Sequence, residues 1–386
     1  MSPRPVVTRT PITIVSRDPS AFKDTYGGAV GLVATGATLI RPETPSDTVL
    51  VTMHPIGGTG GLPVMRLFAE ASVHVLAADS RYRGVDNALI MEKVALDLGA
   101  AVRHAREKLG YANVILLGWS GGGALSAFYQ AEAEQPSLTH TPAGDPLSLV
   151  DARLVPADGI ILMAAHVSRH GTLTEWLDAA ILDEADPEKR DQDLDLYGER
   201  VKPPYSQAFL ARYRAAQEAR NRRITAWVKA RLEHLRRTGR PDEEFGFVVH
   251  GTMADPRWLD PAVDPNDRAP GVCYLGDPRI VNMSPIGLAR FSTLRSWLSQ
   301  WSLDDARADA PACLARVKAP VLVINNSADD ACTPSHARRL FEAVGHEDRR
   351  FHEIAGATHY YQDQPELGAQ AVGLVKTWLE DHGFRI

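Results

Sequence analysis

The clearest chemical signal in the chain is Gly118-Trp119-Ser120-Gly121-Gly122. It lies between the buried apolar run Val114-Ile115-Leu116-Leu117 and a helical stretch from Gly123 to Ala133. A serine at such a strand-to-helix turn has its hydroxyl lifted out of the sheet, and flanking glycines remove Cβ atoms that would clash there. The start of the following helix offers free N–H groups and a dipole that favour developing negative charge. Nucleophilic attack on an ester-like carbonyl is the chemistry this arrangement suits. A serine hydroxyl is a poor nucleophile without a neighbouring base, so a histidine oriented by a carboxylate has to complete the set.

The elements that would bring such partners together can be read from the alternation of β-branched and helical runs. Strands are expected at Val49–Met53, Val73–Ala78, Val114–Leu117 and Gly159–Met163, with helices at about 62–68, 88–109 and 123–133. This rhythm predicts an α/β fold, a mostly parallel central sheet with helices on both faces. It stops after Met163 and resumes at Val321–Ile324, followed by a helix near 335–344, the strand-like Phe351–Ile354 and a closing helix around 367–380. Residues 1–166 and 311–386 are therefore expected to form the core domain, and residues 167–310 an inserted, mainly helical cap. Asp329 and Asp330 fall in the loop after the Val321–Ile324 strand. His359 falls in the loop after the last strand.

Residues 45–165 and 318–384 resemble the α/β-hydrolase superfamily, serine esterases with a large cap in particular. The resemblance implies the chain order Ser, acid, His, and hence a triad of Ser120, Asp329 and His359. Pro320–Asp329 is similar to the family's acid loop, with Asn326 where a glycine is common, and its spacing selects Asp329 over Asp330. Gly356-Ala357-Thr358-His359 resembles the histidine loop. The oxyanion hole would use the backbone N–H of Gly121 and that of Ile56, with Gly57 as the alternative. Their loop, His54-Pro55-Ile56-Gly57, is similar to the family's His-Gly-x turn with proline replacing the glycine. His54, Trp119 and His166 are candidate pocket residues, although Trp119 also reads as core and His166 equally as a strand cap. Asp79-Ser80-Arg81-Tyr82-Arg83-Gly84 resembles a family segment with displaced glycines and reads as structural.

Within the cap, Phe209, Tyr213, Ile224, Trp227, Val228, Leu232 and Leu235 recur at helical spacing. The opposite face carries Arg212, Arg220, Arg223, Lys229, Arg231 and Arg236, which reads as a solvated face more than an anion site. Trp258, Trp297 and Trp301 are expected either to line a cavity or to pin the cap to the core.

These readings favour a serine hydrolase that cleaves a carboxylic ester, lactone or thioester of a medium-sized organic molecule through an acyl-enzyme, with no cofactor and no metal. An acyltransferase or a carbon–carbon bond hydrolase would use the same parts, and a ligand-binding homologue without catalysis would need only the pocket. A serine at this position argues against dehalogenases and epoxide hydrolases, which carry aspartate there. The net charge of −6 lacks the basic excess needed for nucleic acid. No apolar run approaches the length of a bilayer span, so no membrane partner is expected. The N-terminal segment lacks signal-peptide features, and cytoplasmic localisation is expected. Cys273, Cys313 and Cys332 are widely spaced and read as reduced, structural residues. The oligomeric state is open, a homodimer included.

Overall fold

A computed structural model describes residues 5–18, 20, 23, 25 and 29–386. Ten strands and twelve α-helices follow one another along them. The strands are β1 (Val7–Arg17), β2 (Leu32–Pro42), β3 (Thr48–Thr52), β4 (His74–Ala78), β5 (Asn113–Ser120), β6 (Gly159–Ala165), β7 (Gly246–Val248), β8 (Phe291–Thr293), β9 (Val321–Asn326) and β10 (Arg349–Ile354). The helices are α1 (Pro63–Glu70), α2 (Met91–Glu107), α3 (Gly122–Glu134), α4 (Leu149–Ala152), α5 (Arg169–Trp176), α6 (Gln207–Arg237), α7 (Pro256–Leu259), α8 (Pro278–Val281), α9 (Leu294–Ser296), α10 (Ala310–Leu314), α11 (Pro334–Ala343) and α12 (Pro365–Asp381).

Eight strands form one sheet in the order β1-β2-β4-β3-β5-β6-β9-β10. Only β2 runs against the others, pairing antiparallel with both β1 and β4. Alternation along each central strand divides the core into two layers. Val49, Val51, Val114 and Leu116 pack on one face beneath α2, α3 and α11. Leu50, Ile115 and Leu117 pack on the other against α1 and α12. Both layers are closed to water, and each such aliphatic side chain contributes about 1.5–3 kcal/mol of transfer free energy. The expected strand-helix alternation is present, and the antiparallel pair β1–β2 lies outside it.

The chain leaves the sheet after Ala165 and returns at Val321. Its departing and returning ends lie side by side, joined by a bridge between Ser168 and Asp309 and by the Ala310 N–H to the Val167 carbonyl at 2.8 Å. Between them, α6 supplies a long spine that starts at the Ser206 cap. Its buried side chains include Tyr213, Gln217, Arg220, Asn221, Ile224, Val228, Leu232 and Leu235. Two residues depart from the expected pattern. Trp227 is 44% exposed, covered only in part by Phe245 and Phe247. Arg220, assigned to the solvated face, is buried: it pairs with Glu184 at 2.6 Å and donates to the Asp178 and Gly251 carbonyls at 3.0 Å. A guanidinium with five donors can satisfy loop carbonyls that no apolar residue could, which is why a charge occupies a core position.

Trp258, Trp297 and Trp301, expected to line a cavity or to pin the cap, are all buried. Trp297 and Trp301 pack with α6, and the Trp258 indole donates to the Asp330 carbonyl at 2.6 Å. They fasten the inserted segment and do not line the cavity described below. Among the described residues no helix is long and apolar enough to cross a membrane.

Candidate active site

Strand β5 ends at Ser120 and α3 begins two residues later, so the turn between them is very tight. Ser120 adopts a φ of 53°, in the left-handed region that a non-glycine residue enters only under constraint. The constraint comes from its surroundings. A Cβ on Gly118 would stand 2.7 Å from the Gly123 Cα, and one on Gly122 would stand 2.6 Å from the Met53 carbonyl oxygen. Two glycines thus let β5, α3 and the end of β3 approach one another and hold the serine at the tip.

Two further loops converge on this point. Asp329 follows β9, and His359 follows β10. His359 Nδ1 lies 2.7 Å from Asp329 Oδ2, and both side chains are buried. The other carboxylate oxygen, Oδ1, accepts the N–H groups of Ala331 and Cys332, each at 2.7 Å. The acid and histidine loops are laced together by Gly356 N–H to Ser327 Oγ at 2.7 Å and by Ala328 N–H to the Ala357 carbonyl at 2.9 Å. Asn326 adds two more bonds, donating to the Thr358 carbonyl at 3.0 Å and accepting from the Tyr361 hydroxyl at 2.8 Å. This cross-link accounts for the asparagine at 326, where a glycine is common in the acid loop that the sequence resembles. The neighbouring Asp330 makes no such contact with His359. Burial and the Asp329 charge push its carboxyl up to about 6.

Ser120, Gly121, His359, His54, Ile56, Gly57, Trp119 and His166 all line one cavity of about 620 Å³. Of the residues assigned to the triad, the oxyanion hole and the pocket, all but the buried Asp329 therefore border the same space. Trp119 sits against the His359 ring at 4.7 Å and donates to the His359 carbonyl at 3.3 Å. His166 contacts Thr172 Oγ1 at 3.2 Å through Nδ1. Burial and the nearby His336, His359 and His54 hold it well below the usual histidine range, so it stays uncharged. The far wall was not legible in the sequence. It includes Trp176, Tyr274 and Leu288 from the inserted segment, together with Arg169, which is buried, paired with Asp86 at 2.7 Å and stacked over Trp301.

The turn after β3 is braced from below. The Ser80 hydroxyl donates to the Pro55 carbonyl, the Gly84 N–H donates to the Ile56 carbonyl at 2.9 Å, and the Gly58 N–H reaches Asp79 Oδ1 at 3.1 Å. Arg81 turns inward to Asp97 and Asp18. The 79–84 segment thus supports the loop. Within that loop the Ile56 N–H donates to His54 Nδ1 at 3.2 Å, and the Gly57 N–H to the His54 carbonyl at 2.8 Å.

Asp329, Cys332 and His359 place potential ligand atoms within 4.8 Å of one another, the one such grouping among the described residues. Their donor set does not suit a cation. Both Asp329 oxygens already accept hydrogen bonds, and burial with the Asp329 and Asp330 charges holds the Cys332 thiol well above its usual value and so protonated. All three cysteines are free and buried.

No family model matches the sequence, and no curated protein does. Among solved structures, the α/β hydrolase GrgF from Penicillium sp. sh18 aligns with a TM-score of 0.51 at 11% identity, covering 97% of this chain and 99% of that one. The chain has the α/β-hydrolase fold. Also similar are the monoacylglycerol lipase of Paleococcus ferrophilus, at a TM-score of 0.46, 17% identity and coverage of 90% and 99%, and a bacterial heroin esterase, at 0.45, 14%, 98% and 85%. The α/β-hydrolase fold hosts many chemistries, so function has to be argued from the site.

Proposed function

We propose that the protein is a serine hydrolase cleaving a carboxylic ester, lactone or thioester of a medium-sized organic substrate. The observation that carries this reading is the 2.7 Å contact between His359 Nδ1 and a fully buried Asp329, opening into the cavity that also holds the strained Ser120. Asp329 fixes the His359 tautomer, with the proton on Nδ1 and the lone pair on Nε2. His359 then takes the Ser120 proton as Oγ attacks the substrate carbonyl. The oxyanion is received by the Gly121 N–H, at the N-terminus of α3, and by the His54–Gly57 turn. His359 returns the proton to the leaving group, and water, activated by the same histidine, releases the acyl group from Ser120. No cofactor or metal takes part.

Residues 167–310 act as the cap, and their side chains select the substrate. A cavity of about 620 Å³ falls within the range that encloses one medium-sized organic molecule. Among the described residues its wall includes a single acidic side chain, Asp86, already paired with Arg169. Labelling with a fluorophosphonate tests the reading directly. The wild type is expected to label and the Ser120→Ala variant not to; an unlabelled wild type refutes it. Hydrolysis of p-nitrophenyl esters of graded chain length, with and without added alcohol, separates hydrolase from acyltransferase. Turnover that needs the alcohol points to transfer.

A further inference from the structure

The side chain of His54 has one ring nitrogen that the loop does not use. Its Nδ1 accepts the Ile56 N–H at 3.2 Å. The Gly57 N–H goes to the His54 carbonyl and the Gly58 N–H to Asp79 Oδ1, so each amide from Ile56 to Gly58 already has an acceptor within or beneath the turn. A neutral imidazole carries one proton, and a ring that accepts at Nδ1 carries it on Nε2. Burial, reinforced by the Arg169 charge and by His359, pushes the ring down to about 3, so it remains neutral across the working range of an esterase.

Where that Nε2–H lies is the decisive point. A Cβ built on Gly121 would stand 2.7 Å from His54 Nε2 and 3.4 Å from each adjacent ring carbon. Nε2 is therefore the ring atom nearest Gly121, the residue whose amide follows the nucleophile. His54, Gly121 and Ser120 border the same cavity. Only glycine at 121 leaves room for the imidazole there.

We propose that His54 Nε2–H, in place of a second main-chain amide, is the turn's donor to the oxyanion formed when Ser120 attacks. The proposal rests on the serine-hydrolase reading and sharpens it. As the Ser120 Oγ–carbon bond forms, the carbonyl π pair moves to oxygen, and that oxygen accepts the Nε2–H hydrogen bond without taking the proton. When the pair returns, the bond to the leaving group breaks. The Ile56 amide acts at one remove, by holding the ring through Nδ1.

The two ring nitrogens can be tested separately. In His54→Asn the side-chain oxygen can keep the Ile56 contact, but the outer donor is lost. In His54→Gln the terminal NH₂ reaches about as far as Nε2. On a p-nitrophenyl ester turned over by the wild type, the Asn variant is expected to lose about 10²–10³-fold in kcat with little change in KM. The Gln variant is expected to recover at least about tenfold of that loss. Asn matching wild type while Gln fails would overturn the proposal, because the ring would then serve the loop alone. A variant faster than wild type would also overturn it, because the ring would then be obstructing the oxyanion site. A measurement on the wild type covers variants that do not fold. On addition of a trifluoromethyl ketone, which forms a tetrahedral adduct on the serine, the His54 Nε2–H proton resonance should move downfield. An adduct that leaves this resonance unmoved refutes the donor role while leaving the hydrolase reading intact. A wild type that neither reacts nor hydrolyses esters removes both.

Discussion

Replacing Asp329 by asparagine should cost about 10⁴-fold in kcat, because of how the carboxylate is held. Oδ1 accepts two main-chain N–H groups, from Ala331 and Cys332. An asparagine must therefore turn its carbonyl oxygen toward them, since its NH₂ would place donor against donor. Its NH₂ then faces His359 Nδ1, the 2.7 Å partner of Oδ2 in the native protein. Nδ1 becomes an acceptor and the ring proton moves to Nε2, the nitrogen that has to accept the Ser120 proton. An imidazole locked in the wrong tautomer retains the oxyanion donors and the pocket but loses its base. Four decades correspond to about 5.4 kcal/mol of transition-state stabilisation. Folding should change little, because the hydrogen bonds are inverted in sense without being deleted. The assay is steady-state hydrolysis of a p-nitrophenyl ester by Asp329→Asn and Asp330→Asn, with thermal melts of both. An Asp329→Asn enzyme within about tenfold of wild type, beside an inactive Asp330→Asn, would refute the reasoning.

Asp330 leads to a prediction about stability. Its folded carboxyl holds its proton up to about 6, while the unfolded one releases it near 3.9. Stability is therefore lost as pH rises between those values, and the full cost is present above them. Asp330→Asn should stabilise the protein by about 2 kcal/mol at pH 8 and by almost nothing at pH 3.5, after allowance for partial exposure. Equal gains at both pH values, read by denaturant melts, would contradict this. A third prediction concerns the joint between the inserted segment and the core. Arg257 is buried against Asp255 and Glu175 and donates to Thr333 Oγ1 at 2.9 Å. Arg257→Met removes the nearest cation from the buried Asp255 and the half-buried Glu175, which keep Arg214 and His336, and should destabilise by about 2–3 kcal/mol; a loss below about 1 kcal/mol would mean that the network is worth little. Burial alone would raise the Glu175 carboxyl, but Arg257, His336 and Arg214 hold it well below the carboxylate range. Its share of the stability is accordingly present above the unfolded value near 4.3 and disappears as pH falls through the lower folded one. An acid titration of wild type against Arg257→Met should show that dependence weakened in the variant.

Much of this protein is written locally in its sequence. Short apolar runs separated by amphipathic stretches are a local property, and they fixed β3 to β6, β9 and the helices α1, α2, α3, α11 and α12, because strands buried on both faces of a parallel sheet need near-continuous apolar runs. The Ser120 turn is local as well, since a glycine at 118 is what a strand meeting a helix that closely requires. Order along the chain was enough to nominate Asp329 and His359. What sequence could not supply was anything decided by contact between distant segments. Arg220 reads as a surface charge and is a core residue, because carbonyls from Asp178 and Gly251 converge on it only after folding. Tyr274, Leu288 and Trp176 carry no local mark of the cavity they line. The choice between two adjacent aspartates became a matter of distance only once β9 and β10 lay side by side. The His54 ring shows the same division most plainly. Its place in the turn can be read from the residues around it, but its closeness to Gly121, 67 positions further on, arises only when the two segments pack together. Burial and hydrogen-bond partnership belong to pairs of segments, and no single segment encodes them.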